Sequence, residues 1–350
     1  MSYFRENIDA MTPYVPGAQP SAGEYQKVIK LNTNENPYPP APGVIEVLRK
    51  FDPDSLRRYP DPMAREFCGA VADVLDVPAD RVIPGNGSDD ILVMISRACL
   101  QPGKRVVVTV PTFEFYGVQA NIENATCLPL ECDPAESVDL IAAENADVTF
   151  IASPNSPTGT LTPTDVLDDL AGRLGGLLVI DEAYADFANE NALSLAARHD
   201  NVVILRTLSK GYSLAGLRMG FAIAAPAILE GLVKTKAIYN IDAVACAAAA
   251  AAIADQDHKN ANARKVIASR QTLGGQLSGL GFTFPPSQAN FLLVRPPEGN
   301  AAEIHEALKA RGILVRYFQH QAILADKLRI TVGTDEQNAS LIAALKEIMT

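Results

Sequence analysis

The sequence predicts an α/β fold: a mainly parallel sheet covered by helices in a large domain, then a smaller α/β domain at the C-terminal end. Three observations carry this. Short apolar runs alternate with helix-patterned segments between residues 82 and 224, as in strand–helix–strand units. The polar stretches richest in chemistry each follow one of those runs, as expected where ligands bind beyond strand C-termini. A second, shorter set of strand and helix patterns occupies residues 291–348. A chain of 350 residues has room for both domains. The expected division is an arm at 1–43, a large domain at 44–275 and a small domain at 276–350.

Composition narrows the function classes. The chain is 48% hydrophobic and 20% charged, an ordinary globular balance. A net charge of −11 argues against a surface for nucleic-acid backbones, though it leaves room for a local basic pocket. Five cysteines (68, 99, 127, 132 and 246) lack CxxC spacing and read as reduced thiols of a cytoplasmic protein. The first residues, Met-Ser-Tyr-Phe-Arg-Glu-Asn, carry no apolar stretch of signal-peptide type. The asparagine sequons at 86, 124 and 338 then read as chance matches. The most apolar run, Ala243 to Ala254, is mostly alanine and shorter than the roughly 20 residues of a membrane span. Four scattered histidines give no metal-ligand spacing, so no metal is expected.

Along the chain, residues 1–43 are rich in proline, glycine and asparagine and predict an extended arm, with Tyr14, Leu31 and Tyr38 as its anchors. Helix signals at Gly43 to Arg49 precede a loop, Arg57-Arg58-Tyr59-Pro60-Asp61, whose tyrosine by itself reads as a packing residue. A helix is expected over 62–75, with Phe67, Val71 and Val74-Leu75 on one face. Arg81-Val82-Ile83 leads into Pro84-Gly85-Asn86-Gly87-Ser88-Asp89-Asp90, after which Ile91, Leu92, Ile95 and Cys99 recur at helical spacing. A strand, glycine turn and helix N-terminus in that order present free N–H groups to an anion at Gly87, Ser88 and Asp89. This turn lacks the lysine of a Walker loop and the third glycine of a dinucleotide fingerprint.

The strand Arg105 to Val110 runs into the aromatic stretch Phe113 to Tyr116, which alone reads as core. Strands near 127–131 and 148–153 follow, the second ending in Ser153-Pro154-Asn155-Ser156-Pro157-Thr158-Gly159. Polar side chains on that rigid turn suit a fixed hydrogen bond, from either Asn155 or Ser156, with Asn155 slightly preferred. A helix from Thr164 to Leu174 precedes the apolar run Gly176 to Ile180, which reads as a strand buried on both faces. It ends in Asp181-Glu182-Ala183-Tyr184. Glu182 reads as a solvated loop acid, whereas Asp181, directly after four apolar residues, reads as functional.

Val202 to Leu205 then delivers Thr-Leu-Ser-Lys-Gly-Tyr-Ser-Leu-Ala-Gly-Leu-Arg, residues 207–218, and a further apolar segment, Met219 to Ala225, leaves it. A lysine held on such a loop reads either as a solvated surface residue or as a Schiff-base lysine kept from permanent protonation. Ser209 and Arg218 beside Lys210 would supply a hydroxyl and a fixed cation for a phosphate. Pyridoxal phosphate needs that combination, an amine for its aldehyde and donors for its phosphate. Beyond the loop, a helical stretch from Ala243 to Leu280 links to the small domain. That domain reads strand (Phe291 to Val294), helix (Ala301 to Arg311), two strands (Ile313 to Arg316, Leu328 to Val332) and helix (Glu336 to Ile348). Arg329 alternates with apolar neighbours and so faces away from Leu328 and Ile330, toward solvent or a substrate anion.

Ser-Lys-Gly-Tyr-Ser-Leu-Ala-Gly-Leu-Arg resembles the cofactor-lysine signature of fold type I pyridoxal-phosphate enzymes, specifically the histidinol-phosphate aminotransferases. The resemblance extends from Tyr14 to Arg329 and takes in Leu-Asn-Thr-Asn-Glu-Asn-Pro of the arm and Leu-Arg-Ile-Thr-Val-Gly-Thr of the small domain. It implies a homodimer with shared sites and a cytoplasmic reaction of histidine biosynthesis, between histidinol phosphate and 2-oxoglutarate. The residues it implies as catalytic are Lys210, Asp181 and Tyr184. Asp181 would pair with the cofactor's ring nitrogen, Phe113 would stack on the ring, and Asn155 or Ser156, with Tyr184, would reach its 3-hydroxyl oxygen. Its phosphate would lie on Gly87, Ser88, Asp89, Ser209 and Arg218, with Tyr59 of a partner subunit. Tyr14, Tyr59, Arg316 and Arg329 would hold substrate. The chain departs from the family pattern at Ser156, where asparagine usually precedes Pro-Thr-Gly, and at Asp90, where glutamate is usual. Nearly all these motifs are shared with phosphothreonine decarboxylases, a lyase alternative, and with aromatic amino acid aminotransferases. A non-catalytic cofactor-binding module is the third alternative, and the short, proline-rich arm gives it no DNA-binding appendage.

Overall fold

The structure, a computed structural model, describes residues 2–12, 17–21, 23 and 28–349. Tyr14 therefore lies outside the described residues. Among the described residues, eleven strands form two sheets. Seven of them, β2 (Val82–Asn86), β3 (Arg105–Val110), β4 (Thr126–Glu131), β5 (Val148–Ala152), β6 (Leu177–Asp181), β7 (Val202–Thr207) and β8 (Met219–Ala224), make one sheet in the order β2-β8-β7-β6-β5-β3-β4. Strands β3 to β7 pair in parallel, and β8 is antiparallel to both β7 and β2.

Side-chain alternation explains why the inner strands of this sheet are apolar on both faces, whereas the edge strand β4 is partly exposed. Along β7, Val202 and Ile204 enter one core while Val203 and Leu205 enter the other. Along β5, Val148, Phe150 and Ala152 face one core and Ile151 the opposite one. Helices cover both faces, so each inner strand needs apolar residues on both sides.

The second sheet has four strands in the order β1-β10-β11-β9: β1 (Ile29–Leu31), β10 (Ile313–Tyr317), β11 (Leu328–Thr331) and β9 (Phe291–Val294). Residues 29–31 of the arm thus supply an edge strand to the smaller sheet, in parallel register with β10, while Glu6–Asp9, expected to be extended, forms a short helix.

Two helices differ from the sequence expectation by more than one residue, each beside an aspartate that binds backbone N–H groups. The helix expected over 62–75 runs Arg65–Leu75, because the Asp61 carboxylate accepts from the Met63 and Arg65 N–H groups and holds 62–64 as a turn. The helical stretch expected from Ala243 to Leu280 is two helices, Ala243–Ala254 and Gln256–Gly279. Asp255 parts them and accepts from the His258 N–H. The second of these helices sends Ala263, Val266, Leu273 and Leu277 into the core under the smaller sheet.

Candidate active site

A cavity of about 240 Å³ opens where β5, β6 and β7 end, bounded on its far side by β10 and β11. It gathers Ser88, Asp89, Phe113, Ser156, Asp181, Tyr184, Ser209, Lys210, Arg218, Arg316 and Arg329 from segments far apart in sequence.

Lys210 sits on the loop after β7, where its Nζ donates to the Thr33 carbonyl oxygen at 3.0 Å and lies 5.8 Å from the centre of the Tyr184 ring. Burial pulls its ammonium below the ordinary lysine value; the Tyr184 oxygen opposes this and the Arg329 cation adds to it. The loop is held from beneath. The Asn36 Nδ2 donates to the carbonyls of Lys210 and Gly211 at 3.1 and 3.2 Å, and the Asp186 carboxylate lies where a Cβ on Gly211 would project. A side chain at 211 would displace that acid.

Asp181 ends β6. Its Oδ2 accepts from the Tyr116 hydroxyl at 2.7 Å and its Oδ1 from the Ala183 N–H at 3.0 Å. Burial pushes its carboxyl up to about 6, against the lowering effect of those two hydrogen bonds. Tyr116 is itself buried, stacked on Phe150 with ring centres 4.9 Å apart and meeting the edge of Phe113 at 5.5 Å. The aromatic stretch after β3 therefore does two things. Phe113 lines the cavity, and Tyr116, read from sequence only as core, fixes the acid.

An anion cradle lies at the other end. The helix Ser88–Cys99 begins there with its free N–H groups, and Gly87, at φ 76°, precedes it. A Cβ at Gly87 would lie 2.5 Å from Arg218 Nη2. Arg218, in the left-handed region at φ 54°, donates to Ser209 Oγ at 3.1 Å and pairs with Asp89 at 3.2 Å.

Across the cavity, Arg316 and Arg329 are register partners on β10 and β11. Both guanidinium groups lie over the Phe318 ring, at 5.3 and 5.5 Å, and Arg329 donates to Ser156 Oγ at 3.0 Å and to the Asn32 carbonyl at 3.1 Å.

Other expectations meet a different geometry. Asn155, the slightly preferred candidate in its turn, is not among the cavity's lining residues. Its Nδ2 donates to the Pro111 carbonyl and Thr158 Oγ1, and its Oδ1 accepts from Thr112, so the carboxamide is spent on its own loop. Ser156 faces the cavity instead. Glu182, read as a solvated acid, is 2% exposed and pairs with Arg206 Nε at 2.6 Å. Its partner comes from the neighbouring strand β7, which the local sequence does not reveal. Tyr59 lies away from this chain's own cavity; it is 81% exposed and stacks on Tyr239 with ring centres 4.4 Å apart.

Sequence reading also passed over Asn34, whose Nδ2 donates to Tyr184 Oη at 2.9 Å. The only signal was its place in Leu-Asn-Thr-Asn-Glu-Asn-Pro.

The family described as aminotransferase class I and II matches residues 26–345. A histidinol-phosphate aminotransferase 1 of Trichormus variabilis is 53% identical, over 99% of this chain and 99% of its own length. Among solved structures, histidinol-phosphate aminotransferase from Sinorhizobium meliloti, crystallised in complex with pyridoxal-5'-phosphate, superposes with a TM-score of 0.90 at 29% identity and covers 100% of this chain and 98% of its own. L-threonine-O-3-phosphate decarboxylase from Porphyromonas gingivalis superposes at a TM-score of 0.82 over 92% of this chain and 99% of its own, but at 20% identity it shares the fold alone. The chain belongs to the class I and II aminotransferase family, within its histidinol-phosphate aminotransferase branch.

Proposed function

We propose that this protein moves the amino group of L-histidinol phosphate to 2-oxoglutarate, with pyridoxal phosphate as its cofactor. The observation that carries the reading is one cavity holding a lysine of depressed basicity, a buried acid and a pair of arginines. The residues fit the cofactor: a helix N-terminus, Ser209 and Arg218 for its phosphate, Phe113 for its ring, and Asp181 for its ring nitrogen. Tyr184 and Ser156 stand on the cavity wall for its 3-hydroxyl oxygen. When bound, pyridoxal phosphate supplies an aldehyde for the substrate's amine and a ring that takes up electrons.

The chain's own residues do the rest. Lys210 would take the substrate's α-proton and return it, as base and then acid, a role that the basicity lowered by burial suits. An ionised Asp181 would hold a positive charge on the cofactor's ring nitrogen. Arg329 and Arg316 receive the substrate's anion. A phosphate ester and a carboxylate each match a guanidinium fork, so one pair of arginines serves both half-reactions.

A homodimer belongs to the same reading, with Tyr59 reaching the partner's cofactor phosphate; its exposure and its place away from this chain's own cavity support that. So does a division into arm, large and small domains. Gln256–Gly279 packs on the smaller sheet's core, which supports a second boundary near Asp255, before the expected 275. The five cysteines are free, which favours the cytoplasm, and no helix among the described residues is long and apolar enough to cross a membrane.

The test is product analysis with histidinol phosphate, phosphothreonine and aromatic amino acids as donors. Stoichiometric glutamate from 2-oxoglutarate with histidinol phosphate is the expected result. Carbon dioxide from phosphothreonine without glutamate would instead identify a lyase.

A further inference from the structure

Asn34 occupies a position where the arm leaves β1 and crosses the cavity. Its backbone is pinned to the smaller sheet: the N–H donates to Thr331 Oγ1 at 3.0 Å and the carbonyl accepts from Asn290 Nδ2 at 3.0 Å. It lies in the left-handed region at φ 57°, which asparagine tolerates better than most residues.

Counting hydrogens fixes which way its amide faces. The Thr331 hydroxyl accepts from the Asn34 N–H and has one hydrogen of its own, which it donates to Asn34 Oδ1 at 3.1 Å. That leaves Nδ2 toward Tyr184, donating to Oη at 2.9 Å. The phenol oxygen is therefore the acceptor in this bond, and its single hydrogen must go elsewhere. Among the described residues Tyr184 Oη makes no second hydrogen bond, and the side chain lines the cavity.

We propose that Asn34 is a positioning residue of the cofactor site: by donating to Tyr184 Oη it turns the phenol's one hydrogen into the cavity, toward an oxygen of the bound group. The inference rests on the reading of that cavity as the pyridoxal phosphate site. It also assigns Thr331 a part, since its hydroxyl sets the amide's orientation. Thr331 stands two residues from Arg329 on β11, so the strand that receives the substrate anion and the tyrosine that faces the cofactor are linked through one asparagine.

The test is a double-mutant cycle on the loaded enzyme, read as the rate of pyridoxal phosphate release and the position of its visible absorption band. Asn34→Asp keeps the shape, the left-handed backbone and the bond from Thr331, but places an oxygen against Tyr184 where Nδ2 stood. That oxygen draws the phenolic hydrogen away from the cavity. Release should speed up about tenfold and the band should shift, whereas in the Tyr184→Phe background the same substitution should change release less than about twofold. Thr331→Val, which frees the amide to turn over, should show the same dependence on Tyr184 and decides the matter if the aspartate variant does not fold. Equal effects in both backgrounds, or none in either, for the variants that fold would reduce Asn34 to a structural residue and overturn the proposal. An unsubstituted enzyme that forms no lysine-bound chromophore would overturn the reading of the site itself, and the proposal with it.

Discussion

Tyr116 Oη donates a 2.7 Å hydrogen bond to Asp181 Oδ2, and both side chains are buried at the cavity wall. The bond stabilises the ionised acid, and desolvation outweighs it, so the carboxyl stands at about 6 instead of its usual 3.8. The acid that would hold a cationic ring is thus kept at the protein's own expense until a positive charge arrives.

That cost is measurable in the cofactor-free protein. A carboxyl whose folded value lies above its unfolded one binds its proton more tightly when folded. Its contribution to stability is therefore present at low pH and is lost as pH rises from about 4 through 6. The gap corresponds to about 3 kcal/mol. Asp181→Asn removes the ionisation, so its stability relative to the unsubstituted protein should improve between pH 4 and pH 7, read by urea unfolding of both. The same variant should lose most of its turnover when loaded. An unchanged difference across that pH range would mean that Asp181 already meets a compensating charge.

The two arginines differ in what they touch, and their removal should separate the half-reactions. Losing one charge-assisted bond costs about 1.5–3 kcal/mol. Arg329→Ala should therefore slow both half-reactions at least about tenfold in kcat/KM. Arg316→Ala should harm the histidinol phosphate half more than the 2-oxoglutarate half. Single-turnover rates with each substrate check both, and an Arg329→Ala enzyme intact in both halves would move the anion site elsewhere.

The legible and illegible parts of this site divide by distance along the chain. Lys210 with Ser209 and Arg218, and Asp181 behind its apolar strand, declare themselves because strand, loop and chemistry are contiguous. Glu182 does not, because its partner Arg206 arrives on the adjacent strand. Tyr116 and Asp181 are 65 residues apart, and Asn34 and Tyr184 are 150 apart. A tyrosine that packs and a tyrosine that fixes an acid look alike until the fold brings the acid to it. The preference for Asn155 over Ser156 could not weigh local geometry: the turn consumes the Asn155 carboxamide and leaves the Ser156 side chain facing the cavity. The break at Asp255 had a visible cue, an aspartate able to cap, masked by the strongly helical alanines before it.

Tyr59 is open to solvent in the single chain, and its proposed role requires a partner. Mixing Tyr59→Phe with Lys210→Ala protomers gives dimers in which one site keeps both residues. Activity should rise above that of either variant alone. No gain, with mixed dimers confirmed by mass and Tyr59→Phe impaired by itself, would count against a shared site.

Chemical trapping shows whether Lys210 carries the cofactor. Borohydride reduction of the loaded enzyme, followed by digestion and peptide mapping, should place the pyridoxyl label on Lys210, within the peptide that holds Ser209 and Gly211. Lys210→Ala should take up pyridoxal phosphate through the cradle at Ser88, Ser209 and Arg218 yet yield no reduced label. A label on any other lysine, or one that survives Lys210→Ala, would contradict the account.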